Sequence, residues 1–230
     1  MTTTLITGAN KGIGYETARQ LADLGHTVYL GARDAELGRQ AAARIGARSV
    51  QLDVTDDASV AAAMATIETA EGHLDVLVNN AGIALLGLTG PDALRLFDTN
   101  AVGIIRVTEA ALPLLRRSAN PVVVNVSSAL GSFWAVTNPD RPAFHVPAIA
   151  YGASKAAVSM LTLQYAKAVP EVKFNAVEPG YTRTDLGGSA SAGGGRPVET
   201  SAKVVVRVAV IGPDGPTGTF QEEESGELPW

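Results

Sequence analysis

Short apolar runs alternate with helix-periodic segments from one end of the chain to the other. Residues 3–7, 27–32, 49–52, 76–78, 122–126 and 174–177 read as strands, with a short last one at 218–221. Runs such as Val122-Val123-Val124 show no polar alternation, which marks strands buried on both faces. Helical patterns fill the intervals at 13–24, 35–45, 57–71, 92–115, 150–169 and 199–211. Asp57 and Thr200 stand at expected N-caps, and Gly25 and Gly46 at expected helix stops. Regular β-α alternation predicts a parallel sheet with right-handed crossovers and helices on both faces. The expectation is a single-domain α/β chain, residues 1–230, with a doubly wound Rossmann-type sheet.

Two segments break the rhythm. Residues 132–147 hold three prolines with Phe133, Trp134 and Phe144, too long for a tight connection and too apolar for a plain surface loop. Residues 187–195 read GGSASAGGG, the composition of a flexible loop. Both follow strand candidates on the carboxyl edge of the sheet, where open α/β sheets bind ligands.

Composition narrows the classes. A net charge of −5 gives no nucleic-acid footprint, and 46% hydrophobic with 18% charged residues reads as globular. The chain has no cysteine, which excludes disulfides and thiol chemistry and suits a reducing cytoplasm. No signal-peptide pattern or membrane-length apolar run occurs, so the expected location is cytoplasmic. His26, His73 and His145 are scattered without metal-ligand spacing, so no metal site is expected.

The first strand runs into Gly8-Ala9-Asn10-Lys11-Gly12-Ile13-Gly14 and then a helix. Glycines there permit a tight turn against a pyrophosphate, and the helix N-terminus offers free N–H groups and a positive dipole end. A plain structural turn is the alternative; the strand-loop-helix context favours a dinucleotide. The second strand ends at Arg33 and Asp34. An arginine there matches a 2′-phosphate, Lys11 adds a second cation, and Asp34 is better explained as a helix start. NADP(H) is therefore the expected cofactor.

Tyr151 and Lys155 are four apart, one above the other on a helix face. An ammonium beside a phenol favours the phenolate, so the pair is a candidate proton donor with a lowered pKa. An isolated pair of this kind is also what an amphipathic helix with a snorkelling lysine produces.

Taken together, Thr7-Gly8-x-x-x-Gly12-x-Gly14, Asn79-Asn80-Ala81-Gly82, Tyr151-x-x-x-Lys155 and Pro179-Gly180 resemble the short-chain dehydrogenase/reductase family. The glycine loop with Lys11 looks most like its NADPH-dependent carbonyl reductases. The resemblance implies a seven-stranded sheet and a catalytic tetrad: Tyr151 as general acid, Lys155 on the nicotinamide ribose, Ser128 on the substrate carbonyl and Asn100 holding a relay water. It implies cofactor contacts at Asp53 and Val54 (adenine), Asn79 (ribose), and Thr182 and Thr184 (carboxamide), beside Ala81, Gly82, Pro179 and Gly180. The implied reaction is reversible reduction of a ketone or aldehyde by hydride transfer from NADPH.

The interval from Ser128 to Tyr151 exceeds the family pattern, and the additional length falls in 132–147. In carbonyl reductases with such an insertion it tends to cover the tyrosine helix, which implies a monomer or small homo-oligomer. Phe133, Trp134, Phe144, Tyr181 and Leu186 are candidates for an apolar pocket that takes a hydrophobic small molecule, with 187–195 as its lid. No nucleic acid or membrane is an expected partner. The competing reading is a non-catalytic NADP(H) sensor or an interaction protein on the same scaffold.

Overall fold

In the computed structural model, residues 1–85, 89–186, 194–223 and 226–230 are described. The strands β1 (Thr3–Ile6), β2 (Thr27–Ala32), β3 (Arg48–Gln51), β4 (Val76–Asn79), β5 (Val122–Val126), β6 (Lys173–Glu178), β7 (Phe220–Glu222) and β8 (Gly226–Glu227) form one sheet. Their order is β3-β2-β1-β4-β5-β6-β7-β8. All neighbours pair in parallel except β7 with β8. The chain winds outward from β1 to β3, then returns to lay β4 beside β1. That reversal puts the switch point between the ends of β1 and β4, where an open α/β sheet takes its ligand.

The apolar runs explain the layering. Successive strand side chains point to opposite faces, so Leu5, Leu77 and Val123 join one core while Ile6, Val76, Val78, Val122 and Val124 join the other. The first core packs against helices α3 (Asp57–Glu71) and α5 (Gly103–Leu115), through Val60, Met64, Ile67, Val107 and Ala111. The second packs against α1 (Gly12–Asp23), α2 (Ala35–Arg44) and α8 (Val198–Ala209), through Leu21, Ala41, Val204 and Val208. Tyr151 and Lys155 ride on a twenty-residue helix, α7 (Ile149–Ala168).

Several expectations change. The helix expected at 92–115 is three pieces: α4 (Gly90–Phe97), a π-turn (Asp98–Val102) and α5. A capping box between Thr89 and Asp92 starts α4 two residues early. Asp56, not Asp57, caps α3, by accepting the Ala58 N–H. Thr200 lies inside α8, which Pro197 precedes without a side-chain cap. Gly25 and Gly46 do end their helices, at φ of 86° and 65°. The expected seven strands are joined by an eighth, the two-residue antiparallel β8. Segment 132–147 contains the short helix α6 (Phe133–Thr137), capped by Ser132, and a 3-10 turn at Pro142–His145. Most of the expected flexible loop, residues 187–193, lies outside the described residues.

Candidate active site

Side chains stitch the switch point together. The Thr7 hydroxyl accepts the backbone N–H groups of Asn80 (3.0 Å) and Ala81 (2.9 Å). The Asn80 carboxamide donates to the carbonyls of Thr7 (2.9 Å) and Gly8 (3.1 Å). Only glycine fits at Gly8: its φ is 63°, and a Cβ there would lie 2.9 Å from Ala81 Cα. A Cβ on Gly14 would lie 2.4 Å from Asn80 Nδ2. Lys11 precedes α1 with no side-chain cap, and the first turn carries no acid. The leading N–H groups of α1 therefore keep no local anion, the condition for accepting a phosphate. Asn10 and Ile13 are half-buried along this loop.

Around it stand the other expected cofactor contacts. Arg33 is exposed at the end of β2, and Asp34 is turned away to cap α2, accepting from Glu36 N and Leu37 N. Burial works against the Asp53 carboxylate, but hydrogen bonds from Thr55 and the charges of Arg33 and Arg106 hold its pKa below the ordinary value. Val54 is buried against the Gly103 position. Across the opening, Lys11 pairs with Asp185 at 3.1 Å, and Thr184 lies over Gly12, 3.5 Å from where its Cβ would be. Thr182 is anchored to the Gly180 carbonyl and to the Ser201 hydroxyl. Gly180, next to Pro179, turns with φ of 78°.

Asn79 does not join this group. Its carboxamide is 3% exposed and donates to Thr108 and Asn125, and Asn125 in turn donates to Thr162. Strand alternation explains the outcome: Asn79 faces α5 and α7 inside the first core layer, and Asn80 reaches the glycine loop.

The π-turn places Asn100. Its Oδ1 accepts Ile83 N–H (2.8 Å), and its Nδ2 donates to the Ile83 carbonyl (2.9 Å) and the Ser154 hydroxyl (3.0 Å). A Cβ on Gly82 would sit 3.4 Å from Asn100 Oδ1 and 3.6 Å from Lys155 Nζ, so the three positions converge. Lys155 is 5% exposed; its ammonium donates to the Val126 carbonyl (2.8 Å) and lies 5.8 Å from the Tyr151 ring centre. Ser128, two residues past β5, stands close enough to the Tyr151 phenol to favour its ionised form. Asn100 of the π-turn, Ser128 after β5, and Tyr151 and Lys155 of α7 thus gather beside the glycine loop.

Their electrostatics differ from the expectation. Burial pushes the Tyr151 pKa up, the Glu178 charge raises it further, and the Ser128 hydroxyl opposes both. Tyr151 is half-buried as a residue, yet its hydroxyl is desolvated. Burial likewise pulls Lys155 down to about 8, against the pull of Glu178. Desolvation therefore outweighs the through-space benefit of the ammonium to the phenolate. Glu178 escaped the sequence reading. The available signal was an acid closing β6 directly before Pro179.

Lys155 yields a stability prediction. Its pKa in the folded chain (about 8) lies below the usual 10.5. Between these values the unfolded chain binds the extra proton, so wild-type stability gains as pH rises through that window. Urea unfolding should show a pH-dependent advantage of Lys155→Met over wild type, about 3 kcal/mol at neutral pH. That advantage should close as pH climbs from about 8 to 10.5. A gap independent of pH would contradict a buried, charge-disfavouring environment.

The expected substrate pocket is only partly assembled. A groove of about 460 Å³ runs between Phe133, Val136 and Val146 and the Gly152, Ala153, Ala156 stripe of α7. Trp134 instead carries the Arg141 guanidinium at 5.6 Å, and Phe144 meets His145 edge-on. Tyr181 and Leu186 are exposed on the other side of the opening. The three histidines bond locally, to Thr4, the Glu71 carbonyl and the Pro139 carbonyl. No cluster of metal-ligating side chains occurs among the described residues, and no helix of theirs is long and apolar enough to cross a membrane.

The model of the short chain dehydrogenase family matches residues 2–193. A (+)-neomenthol dehydrogenase of Capsicum annuum is 30% identical, over 94% of this chain and 94% of that protein. The NADPH-bound carbonyl reductase from chicken fatty liver superposes with a TM-score of 0.87 at 28% identity, covering 100% of this chain and 99% of the other. Salutaridine reductase from Papaver somniferum gives a TM-score of 0.84 at 28% identity, covering 96% and 99%.

Proposed function

The chain belongs to the short-chain dehydrogenase family, and on that premise we propose that it is an NADPH-dependent reductase of ketones or aldehydes with Tyr151 as general acid. It is an oxidoreductase acting on carbonyl and alcohol groups. The finer reading is carried by the convergence of Asn100, Ser128, Tyr151 and Lys155 beside the glycine loop.

The residues fit a dinucleotide. Gly8 and Gly14 let the loop turn tightly against Ala81 and Asn80, beside an uncapped helix N-terminus. When bound, NADPH supplies the hydride. The α1 N–H groups and Lys11 would hold its phosphates, and Lys155 would hold a ribose hydroxyl. Ser128 donates a hydrogen bond to the substrate oxygen as negative charge grows there. Tyr151 gives that oxygen its proton. Asn100 fixes Ile83 and Ser154 from both sides and so holds the floor of the site.

NADP over NAD is supported by Arg33, which faces solvent at the end of β2 while the neighbouring acid, Asp34, is occupied as a helix cap. Arg33→Ala should raise the KM for NADPH at least about tenfold and barely change that for NADH, since it removes one charge-assisted phosphate contact. Equal changes in both would argue against this selectivity. The carbonyl reductase neighbour, whose structure is NADPH-bound, supports the same reading.

The exposed apolar side chains of Phe133, Tyr181 and Leu186 support a hydrophobic carbonyl compound as substrate. Val136 and Val146 of segment 132–147 flank the small-residue stripe of α7, which supports a monomer or small homo-oligomer. The deciding experiment is a panel of aliphatic and aromatic carbonyl compounds with NADPH and with NADH, followed by loss of reduced-cofactor absorbance. Turnover confined to NADPH and abolished by Tyr151→Phe is the expected result. Cofactor binding without turnover on any compound would favour a sensor.

A further inference from the structure

Residues 226–230 have no part in the proposed chemistry, yet they pack on segment 132–147. β8 pairs with β7, and the Leu228 N–H donates to the Phe220 carbonyl at 2.7 Å. Leu228 is 1% exposed, among Ala135, Ala143, Ala176 and Phe220. The Trp230 ring stacks on that of Phe220, with 5.3 Å between centres. This small core joins the edge of the sheet to the substrate side.

Polar contacts repeat the link. α6 has five residues, too few to stand alone in water. Its leading N–H groups have no acceptor within the helix. The Ser132 hydroxyl accepts that of Ala135 at 3.0 Å, and the Trp230 main-chain oxygen accepts that of Trp134 at 3.1 Å. Ser132 in turn donates its hydroxyl to the Pro229 carbonyl at 2.6 Å. Arg141 lies over the Trp134 ring and pairs with Glu222 of β7 at 2.6 Å. Residues 228–230 and β7 therefore fasten α6 from one side.

α6 is continuous with the Ser128 loop. The Gly131 N–H donates to the Ser128 carbonyl at 2.8 Å, and the Ser132 N–H to the Ala129 carbonyl at 3.1 Å. Gly131 itself is seated against the α7 backbone at Lys155. What holds α6 thus holds a wall next to Ser128, and Phe133, 71% exposed, is the side chain that wall offers to a ligand.

We propose that residues 228–230 are a brace for α6 that sets which carbonyl compounds the enzyme accepts, with Trp230 as a positioning residue for Phe133. The proposal rests on the reductase reading and deepens it. A bulky aromatic ketone leans on the Phe133 wall, whereas a small aldehyde needs only Ser128 and Tyr151. Loosening the wall therefore penalises the first and spares the second.

Two measurements test it. The first is amide hydrogen exchange, read residue by residue by NMR in the ligand-free protein. The Trp134 N–H sits in the first turn of a helix, so its protection reports the acceptor outside that helix. In wild type it should exchange at least about a hundredfold more slowly than an open amide. In Trp230→Ala it should exchange at least about tenfold faster than in wild type, and Trp230→Phe, which keeps a ring on Phe220, should restore most of the protection. Open exchange at Trp134 in wild type overturns the proposal and needs no variant to fold. Unchanged exchange in Trp230→Ala overturns it as well. The second measurement is steady-state kinetics. Trp230→Ala should raise the KM for acetophenone at least about tenfold. The KM values for propanal and for NADPH should stay within about twofold of wild type. Equal rises for both carbonyl compounds, or no rise for either, overturn the specificity role. The exchange experiment involves no turnover. Its failure in an active reductase removes only the brace, and inactivity on every carbonyl compound removes the reductase reading, and the specificity role with it.

Discussion

Tyr151→Phe should lower carbonyl turnover at least about a hundredfold, the usual scale for loss of a general acid. The substitution keeps the ring and removes only the hydroxyl. The Lys155 ammonium keeps its bond to the Val126 carbonyl, and Asn100 keeps both bonds to Ile83, so the fold of the site is untouched. NADPH should therefore still raise the melting temperature of the variant. Loss of turnover with retained cofactor binding is the pattern of a missing proton donor. Turnover near the wild-type rate would remove Tyr151 from the mechanism. Loss of both would mean that the phenol supports cofactor binding as well.

Gly131→Ala should produce the largest structural effect. Gly131 ends the 3-10 turn after Ser128 and presses directly on α7. A Cβ there would stand 2.5 Å from the Lys155 carbonyl carbon, 2.6 Å from its oxygen and 2.8 Å from Ala156 N. These are backbone atoms of a long helix, so no rotamer relieves the clash and the whole element must shift. Overpacking of this kind costs about 3 kcal/mol, or roughly 5–10 °C in melting temperature for a chain of this size. The displaced helix carries Tyr151 and Lys155, so turnover should fall by a further factor of about a hundred. Gly90→Ala is the control, because nothing lies within 4 Å of its added carbon. Equal melting temperatures for the two variants would show that α7 yields easily at Lys155.

The sequence carried much of this, and the exceptions share a cause. The two-faced apolar strands, the glycine loop and the Tyr151–Lys155 pair were legible because local periodicity encodes them. The break at residues 98–102 was not, because one additional residue in a turn leaves the hydrophobic rhythm on either side nearly intact. The two-residue β8 was too short to carry a pattern. Asn79 and Asn80 were indistinguishable as neighbours until the strand showed which one faced the loop. The direction of the Tyr151 shift was hidden for a further reason. Helix spacing reveals that an ammonium is near, but desolvation and the charge of Glu178 arise only when α7 and β6 close over the phenol.

The widened turn at Asp98–Val102 also bears on which changes in length the chain tolerates. Deleting one residue there would close the turn into a regular helix whose flanks kept their faces, and would remove the bulge that carries Asn100. Asn100 would leave the Ile83 peptide while α5 kept its seat in the core. Substitutions at the solvent-facing positions of that stretch are compatible with the fold, whereas a single-codon loss would dismantle the floor of the cleft.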